Sequence, residues 1–256
     1  MQPVHKDRLR DFLEGTRWSH IEARPTVTST NAVLMAHAPK LPSGSVLIAN
    51  HQTGGRGRFD RSWVDEPGRG LATSALIRPN RPMSEWGWLP LLLGVAVDKG
   101  IAKIAGAQES RVTLKWPNDV LVDGRKICGI LCQVSGDALI CGWGINVLGW
   151  PQDVPADRAT SLADAGLPTD RTEISAAVLR AFDALLADWE AGADMRQRYL
   201  AICDTVGRDV KVMLDAERPD SFKLGLAVDV TVEGNLVVET EAGVETFSAA
   251  DVIHLR

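Results

Sequence analysis

Residues 54–58 read Gly-Gly-Arg-Gly-Arg, three glycines and two arginines in five positions. Glycine lets a backbone reach φ > 0 and approach a ligand closely. Arginine adds permanent charge and a fork of donors that matches carboxylate and phosphate oxygens. A loop built this way, entered through Gln52 and Thr53, suits a small anionic ligand that reacts with a nucleotide. A solvated turn with incidental charge has the same composition. The loop is not a P-loop, because no Gly-Lys-Ser/Thr follows, and it lacks the GxGxxG spacing of a dinucleotide fold. Its continuation, Phe59-Asp60-Arg61-Ser62-Trp63, brings an indole that could stack on adenine or anchor the loop on the core.

Three further segments carry chemistry. Ser29-Thr30-Asn31 stands just before an apolar helical run. Such residues cap helices, and the same geometry exposes hydroxyls and N–H groups to a polar ligand. Lys115-Trp116-Pro117-Asn118-Asp119 contains a proline that cannot pair inside a central strand. The segment therefore sits at a strand end or kink, with Lys115, Asn118 and Asp119 at the mouth of a sheet. Finally, Gly124-Arg125-Lys126-Ile127-Cys128-Gly129-Ile130-Leu131 puts a lysine into an apolar hairpin strand seven residues after Asp119. Lysine is rarely buried without a partner, so the hairpin could bring Lys126 and Asp119 to one pocket. A solvated charge that protects a strand edge is the other reading.

The elements around these segments follow from periodicity. A short helix spans residues 5–17, and strands are expected at 46–49, 72–77 and 112–116. The stretch 89–104, apolar nearly all round, reads as a buried helix. Asp123-Gly124 marks a tight hairpin, and a second turn at 135–137 leads to a strand over 138–147. An amphipathic helix carries Ile174, Val178, Phe182, Leu185 and Trp189 on one face and starts at Asp170. Beyond Gly207 the period changes to two, with runs at 210–214, 224–232, 236–239 and 244–247, as in a small β-barrel. The chain is expected to divide into an N-terminal helical extension (1–25), a catalytic domain (26–204) and a C-terminal domain (205–256).

Composition narrows the function classes. The net charge of −5 leaves no general basic footprint for nucleic acid. Positive charge gathers locally, with six arginines between positions 56 and 81, which points to a site. Four scattered cysteines suit reduced thiols, not a disulfide framework or a zinc site. There is neither a signal-peptide pattern nor an apolar run near the ~20 residues of a membrane helix. A cytoplasmic protein is expected.

Taken together, the four segments resemble the biotin protein ligases. Ser29-Thr30-Asn31 is similar to the family's STN element, Gln52 to Arg58 to its QxxGRGR loop, and Lys115 to Asp119 to its KWPND element. Arg125-Lys126 and Gly129-Ile130-Leu131 resemble the RKxxGIL that follows. Gly142-Trp143-Gly144-Ile145-Asn146 is similar to a later glycine–asparagine strand, and Thr160-Ser161-Leu162 to a loop beyond it. The resemblance covers residues 26–256. Two positions depart from the pattern. Gly54 replaces the usual alanine and is expected only to loosen the loop, while Asp60 replaces a frequent glycine and is expected to alter loop closure.

The resemblance implies an α+β fold. A mixed sheet flanked by helices, as in class II synthetases, would carry catalysis, followed by a small SH3-like β-barrel. It implies an ATP-dependent ligase that makes biotinyl-5′-adenylate and passes biotin to a lysine of a biotin carboxyl carrier domain. ATP, biotin and Mg²⁺ would be required. A carboxylase carrier would be the partner, with no nucleic acid or membrane, and the ligase would be a monomer or weak homodimer. By the same resemblance Lys126, Arg58 and Asp119 are catalytic. Ser29, Thr30, Asn31, Gln52, Arg56, Gly57, Arg58, Lys126 and Gly129 hold biotin. Arg56, Arg58, Trp63, Lys115, Asn118, Lys126 and Asn146 hold ATP or the adenylate, and Asp119 is a candidate Mg²⁺ ligand or the acceptor for the incoming amine. A lipoyl or octanoyl ligase is the nearest rival. A biotin-sensing repressor is disfavoured because the segment before Thr26 is too short for a DNA-binding unit with its own core. An inactive binding module would need a lost lysine or arginine, and none is lost.

Overall fold

The computed structural model describes residues 3–63, 66–106, 111–152, 154–215, 218, 220–248 and 250–255. The first half of the chain forms α1 (Lys6–Phe12), β1 (His20–Arg24), α2 (Thr30–His37), β2 (Ser45–Ala49), β3 (Gly55–Arg56), β4 (Ser62–Trp63), β5 (Gly70–Ile77) and α3 (Trp88–Ala105). It continues through β6 (Val112–Lys115), β7 (Asp119–Val122), β8 (Arg125–Ser135), β9 (Ala138–Asn146), α4 (Arg171–Glu190) and α5 (Arg196–Leu200). The last strands are β10 (Asp209–Met213), β11 (Phe222–Val230), β12 (Leu236–Thr240), β13 (Gly243–Phe247) and β14 (Asp251–His254).

Seven strands make the large sheet, in the order β1-β2-β5-β9-β8-β7-β6. It is mixed: β1 and β2 are parallel, while the pairings from β2 to β6 are antiparallel. Every residue of β2, β5 and β9 is buried, because both faces of these central strands are covered. On one face α2 packs Leu34 and Ala38 onto Leu47, Leu76 and Ile140. The other face meets α3 and α4, whose Leu92, Leu93, Phe182 and Leu186 are fully buried. The expected cap of α4 is present: the Asp170 carboxylate accepts from the backbone N–H groups of Thr172 and Glu173 at 2.8 and 3.0 Å. Asp123 and Gly124 take φ of 50° and 73°, as a tight hairpin turn requires.

The segment before Thr26, expected as a helical extension, also supplies β1, the edge strand of the large sheet. Its outward residues His20 and Glu22 are exposed and only Ile21 is buried, so the apolar signal of a strand is missing.

Strands β10 to β14 form the second sheet, antiparallel in the order β13-β12-β11-β10-β14. Their inward residues, among them Val210, Val212, Ala227, Leu236 and Val238, join the same apolar cluster as α3 and α4. The two parts are also tied by polar contacts. Trp88 Nε1 donates to the Val232 carbonyl at 2.6 Å and Trp116 Nε1 to that of Gly234 at 3.1 Å.

At this junction His254 Nε2 lies 3.0 Å from Thr205 Oγ1, and Nδ1 lies 3.8 Å from Asp204. Burial, then the nearby Lys115 and Arg208, outweigh Asp204 and Asp119 and push the imidazole from 6.5 down to about 4. Folded His254 therefore stays neutral at pH values where the unfolded chain would protonate it. Its contribution is complete above pH 6.5 and is lost as the pH falls from about 6.5 to about 4. The loss across that window amounts to about 2–3 kcal/mol. Thermal unfolding at pH 7.5 and pH 4.5 should show the drop, and His254→Gln should make it shallower.

Candidate active site

The site grows from a strip of sheet that lacks side chains. Side chains alternate along a strand, so the face that presents Leu76 and Ile140 to α2 presents Ser74, Gly142 and Gly144 further along. Gly129 of β8 pairs with Gly144. A Cβ on Gly142 would lie 2.0 Å from Asn31 Oδ1, and one on Gly144 2.6 Å from Trp63 Nε1. The glycines thus make room for Asn31 and the Trp63 indole, and together these residues line a cavity of about 170 Å³.

One end of the cavity is polar and buried. Ser29 caps α2, its Oγ 3.4 Å from the Ala32 N–H. Gln52 Oε1 accepts from both the backbone N–H and the hydroxyl of Thr30, at 2.7 and 3.0 Å. The Ser74 hydroxyl lies 2.7 Å from Thr30 Oγ1 and 2.6 Å from Asn31 Oδ1, while the Asn31 amide donates to the Leu131 carbonyl at 3.0 Å. Each of these side chains is fixed by its neighbours, so donors and acceptors are pre-set at this end.

The other end is cationic. The register of β7 and β8 slips between Val120 and Leu121, leaving Ile127 as an extra residue. Such a bulge re-aims the side chains on either side of it. Lys126 and Gly129, which strict alternation would put on opposite faces, consequently both line the cavity. Lys126 Nζ lies 2.5 Å from Asp119 Oδ1 and 5.5 Å from the centre of the Trp63 ring. Arg58 donates to Asn118 Oδ1 at 3.4 Å and to the Ala250 carbonyl at 3.1 Å. Burial lowers the pKa of its guanidinium, an effect offset in part by Asp251 and Asp119.

The glycine–arginine segment is a small hairpin. Gly55 and Arg56 pair with Trp63 and Ser62, and the Gly57 N–H donates to the Arg61 carbonyl at 2.6 Å. Gly54 is exposed; its N–H donates to the Thr28 carbonyl at 2.8 Å, and a Cβ there would lie 3.2 Å from Thr28 Cγ2. The Asp60 side chain lies outside the described residues. The Trp63 indole lies against Gly129 and Gly144.

Of the residues expected at the site, Ser29, Thr30, Asn31, Gln52, Arg56, Gly57, Arg58, Trp63, Asn118, Asp119, Lys126 and Gly129 line the cavity. Lys115 and Asn146 do not. Lys115 lines a small recess beside it with Pro117, Asn118 and Asp119, where burial lowers the pKa of its ammonium despite Asp119. The Asn146 amide donates to the Thr160 carbonyl at 3.0 Å and the Lys126 carbonyl at 3.5 Å, so it braces the backbone behind Lys126. Sequence reasoning gave no role to Ser74, Gly142 or Gly144, and missed Arg61 and Asp251, which pair at the rim. Among the described residues no group of three His, Cys, Asp or Glu could hold a metal. The one carboxylate beside Lys126 suits an ion brought in on nucleotide phosphates better than a protein-built site. Among them also, no helix is long and apolar enough to cross a membrane.

Known proteins share this arrangement. Residues 23–146 match the model of the Biotin/lipoate A/B protein ligase family, and residues 206–255 that of the Biotin protein ligase C terminal domain. The chain is 36% identical to the Biotin--[acetyl-CoA-carboxylase] ligase of Mycobacterium tuberculosis, over 99% of this chain and 97% of that one. It is 33% identical to the Bifunctional ligase/repressor BirA of Bacillus subtilis, over 82% of this chain and 66% of that one. The solved structure of a biotin protein ligase from Aquifex aeolicus in complex with biotin and ATP superposes with a TM-score of 0.77 and 28% identity, covering 93% of this chain and 99% of that one. The mixed sheet flanked by helices, with its small C-terminal antiparallel sheet, is the class II synthetase-like and SH3-like pair of this group. The chain belongs to the biotin protein ligase family.

Proposed function

We propose that this protein joins biotin to ATP as biotinyl-5′-adenylate and transfers the biotinyl group to a lysine of a biotin carboxyl carrier domain. The observation that carries this reading is the polarity of one cavity, with a buried hydrogen-bonding row at one end, lysine and arginines at the other, and glycines between. A flat ring with a polar edge and a carboxylate tail matches that order. Ser29, Thr30, Asn31 and Gln52 hold the ureido ring, and the bicycle lies against the wall that the Trp63 indole makes over Gly129 and Gly144. Lys126 meets the carboxylate where it approaches the α-phosphate.

In the first step a carboxylate oxygen attacks the α-phosphorus and the bond to pyrophosphate breaks. Two anions must meet, so fixed positive charge is the main requirement, and Lys126, Arg56 and Arg58 supply it. Mg²⁺ bound to the ATP phosphates would supply further positive charge there, with Asp119 the residue placed to hold it. In the second step the carrier amine attacks the acyl carbon, the bond to AMP breaks, and the amine loses a proton. Asp119 is the nearest acceptor once Lys126 turns to the phosphate. The hairpin of residues 55–63 covers the adenylate and excludes water. Lys115 and Asn146 act from behind, through Asp119 and the Lys126 backbone. The protein works in the cytoplasm as a monomer or weak homodimer, without nucleic acid.

Calorimetry with biotin and with lipoate tests the reading. Tight binding of biotin alone is expected. Preference for lipoate would move the protein to the other branch of its family.

A further inference from the structure

Asp251 at the start of β14 and Ala250 just before it hold the glycine–arginine hairpin. The Asp251 carboxylate pairs with the Arg61 guanidinium, and the Ala250 carbonyl accepts from Arg58. Asp119 and Asp251 are the carboxylates among the described residues that line the cavity, facing Arg56, Arg58, Arg61 and Lys126. Lys126 engages Asp119, which leaves Asp251 to balance the hairpin. The Asp251 side chain is 21% exposed and that of Arg61 62%. The carboxylate is thus set in the fold, and the guanidinium reaches it from the surface. Strand β14 fixes its position, since Asp251 pairs with Met213 of β10 and the next residue, Val252, is buried. The pair offsets part of the repulsion among Arg56, Arg58 and Arg61, three arginines within six residues.

We propose that Asp251 is a positioning residue for retention of the adenylate. It holds Arg61, and with it Arg58, at the cavity mouth, so that the C-terminal sheet and the hairpin act as one unit. This rests on the ligase reading for its consequence but not for the latch itself.

The latch is read without substrate, by the initial rate of tryptic cleavage after Arg56 and Arg58 in the full-length protein. Asp251→Asn should raise that rate about fivefold, and Arg61→Gln should do the same. The double variant should be no faster than either single one, and Asp251→Glu should return the rate to within about twofold of the parent. In the adenylate assay, Asp251→Asn should speed adenylate release about fivefold while its rate of formation stays within about twofold. Unchanged cleavage, additive single effects, or no recovery with glutamate would overturn the proposal. A parent protein that makes no adenylate would instead sink the ligase reading and leave the cleavage result to decide the latch.

Discussion

Lys126→Ala should lower the rate of biotinyl-adenylate formation by about 10³-fold, with the fold intact. Lys126 is the one lysine lining the cavity, and its ammonium sits between Asp119 and the Trp63 ring. A fixed charge aimed at developing phosphate charge is worth about 10²–10³ in rate when removed, and here no neighbouring arginine stands at the same point of the cavity. Stability should change little, because the side chain is one-third exposed (33%) and exposed ion pairs contribute at most about 1 kcal/mol. Pyrophosphate release with biotin and ATP reads the first step. Supplying preformed biotinyl-adenylate bypasses it, and carrier labelling by the variant should then recover most of the parent rate. A variant that still releases pyrophosphate at the parent rate would show that Lys126 does not serve the first step.

Arg58→Gly should act on retention of the intermediate. Arg58 bridges the hairpin to Asn118 and to Ala250 at the cationic end of the cavity. The substitution removes these two anchors and, under the proposed function, the charge-assisted bonds to the adenylate. Release should accelerate about 10- to 100-fold, from bonds worth about 1.5–3 kcal/mol. Free adenylate then acylates any accessible amine. A bystander protein incubated with the variant, biotin and ATP should gain biotin on scattered lysines, detectable by intact mass. Absence of stray labelling would place the retaining contacts elsewhere.

Much of this site was legible before the fold was known. Lys115 to Asp119 had to end a strand because of Pro117, and Asp123-Gly124 had to turn the chain, which already put Lys126 near Asp119. Helix α4 was plain from its apolar stripe and its Asp170 cap. Other features left no mark on the sequence. Gly142 and Gly144 act through missing side chains, and a glycine that makes room for a neighbour reads like one that merely bends a strand. The bulge at Ile127 decides which face Lys126 serves, yet nothing in its neighbours announces it. Asp251 lies 190 residues from Arg61 in a four-residue strand with a single buried side chain, too short for periodicity to reveal. Lys115 and Asn146 are expected at the ligand because their segments match a pattern; Lys115 lines the recess beside the cavity, and Asn146 bonds the Thr160 and Lys126 carbonyls.

The central claim is that one cavity joins biotin to ATP and hands it to a carrier lysine. Its most direct test is the intact mass of a biotin carboxyl carrier domain after incubation with the protein, biotin and Mg-ATP. A gain of one biotinyl group, absent without ATP and absent when the carrier's target lysine is replaced, is the predicted result. An unchanged carrier mass under conditions where the protein binds biotin and ATP would contradict it.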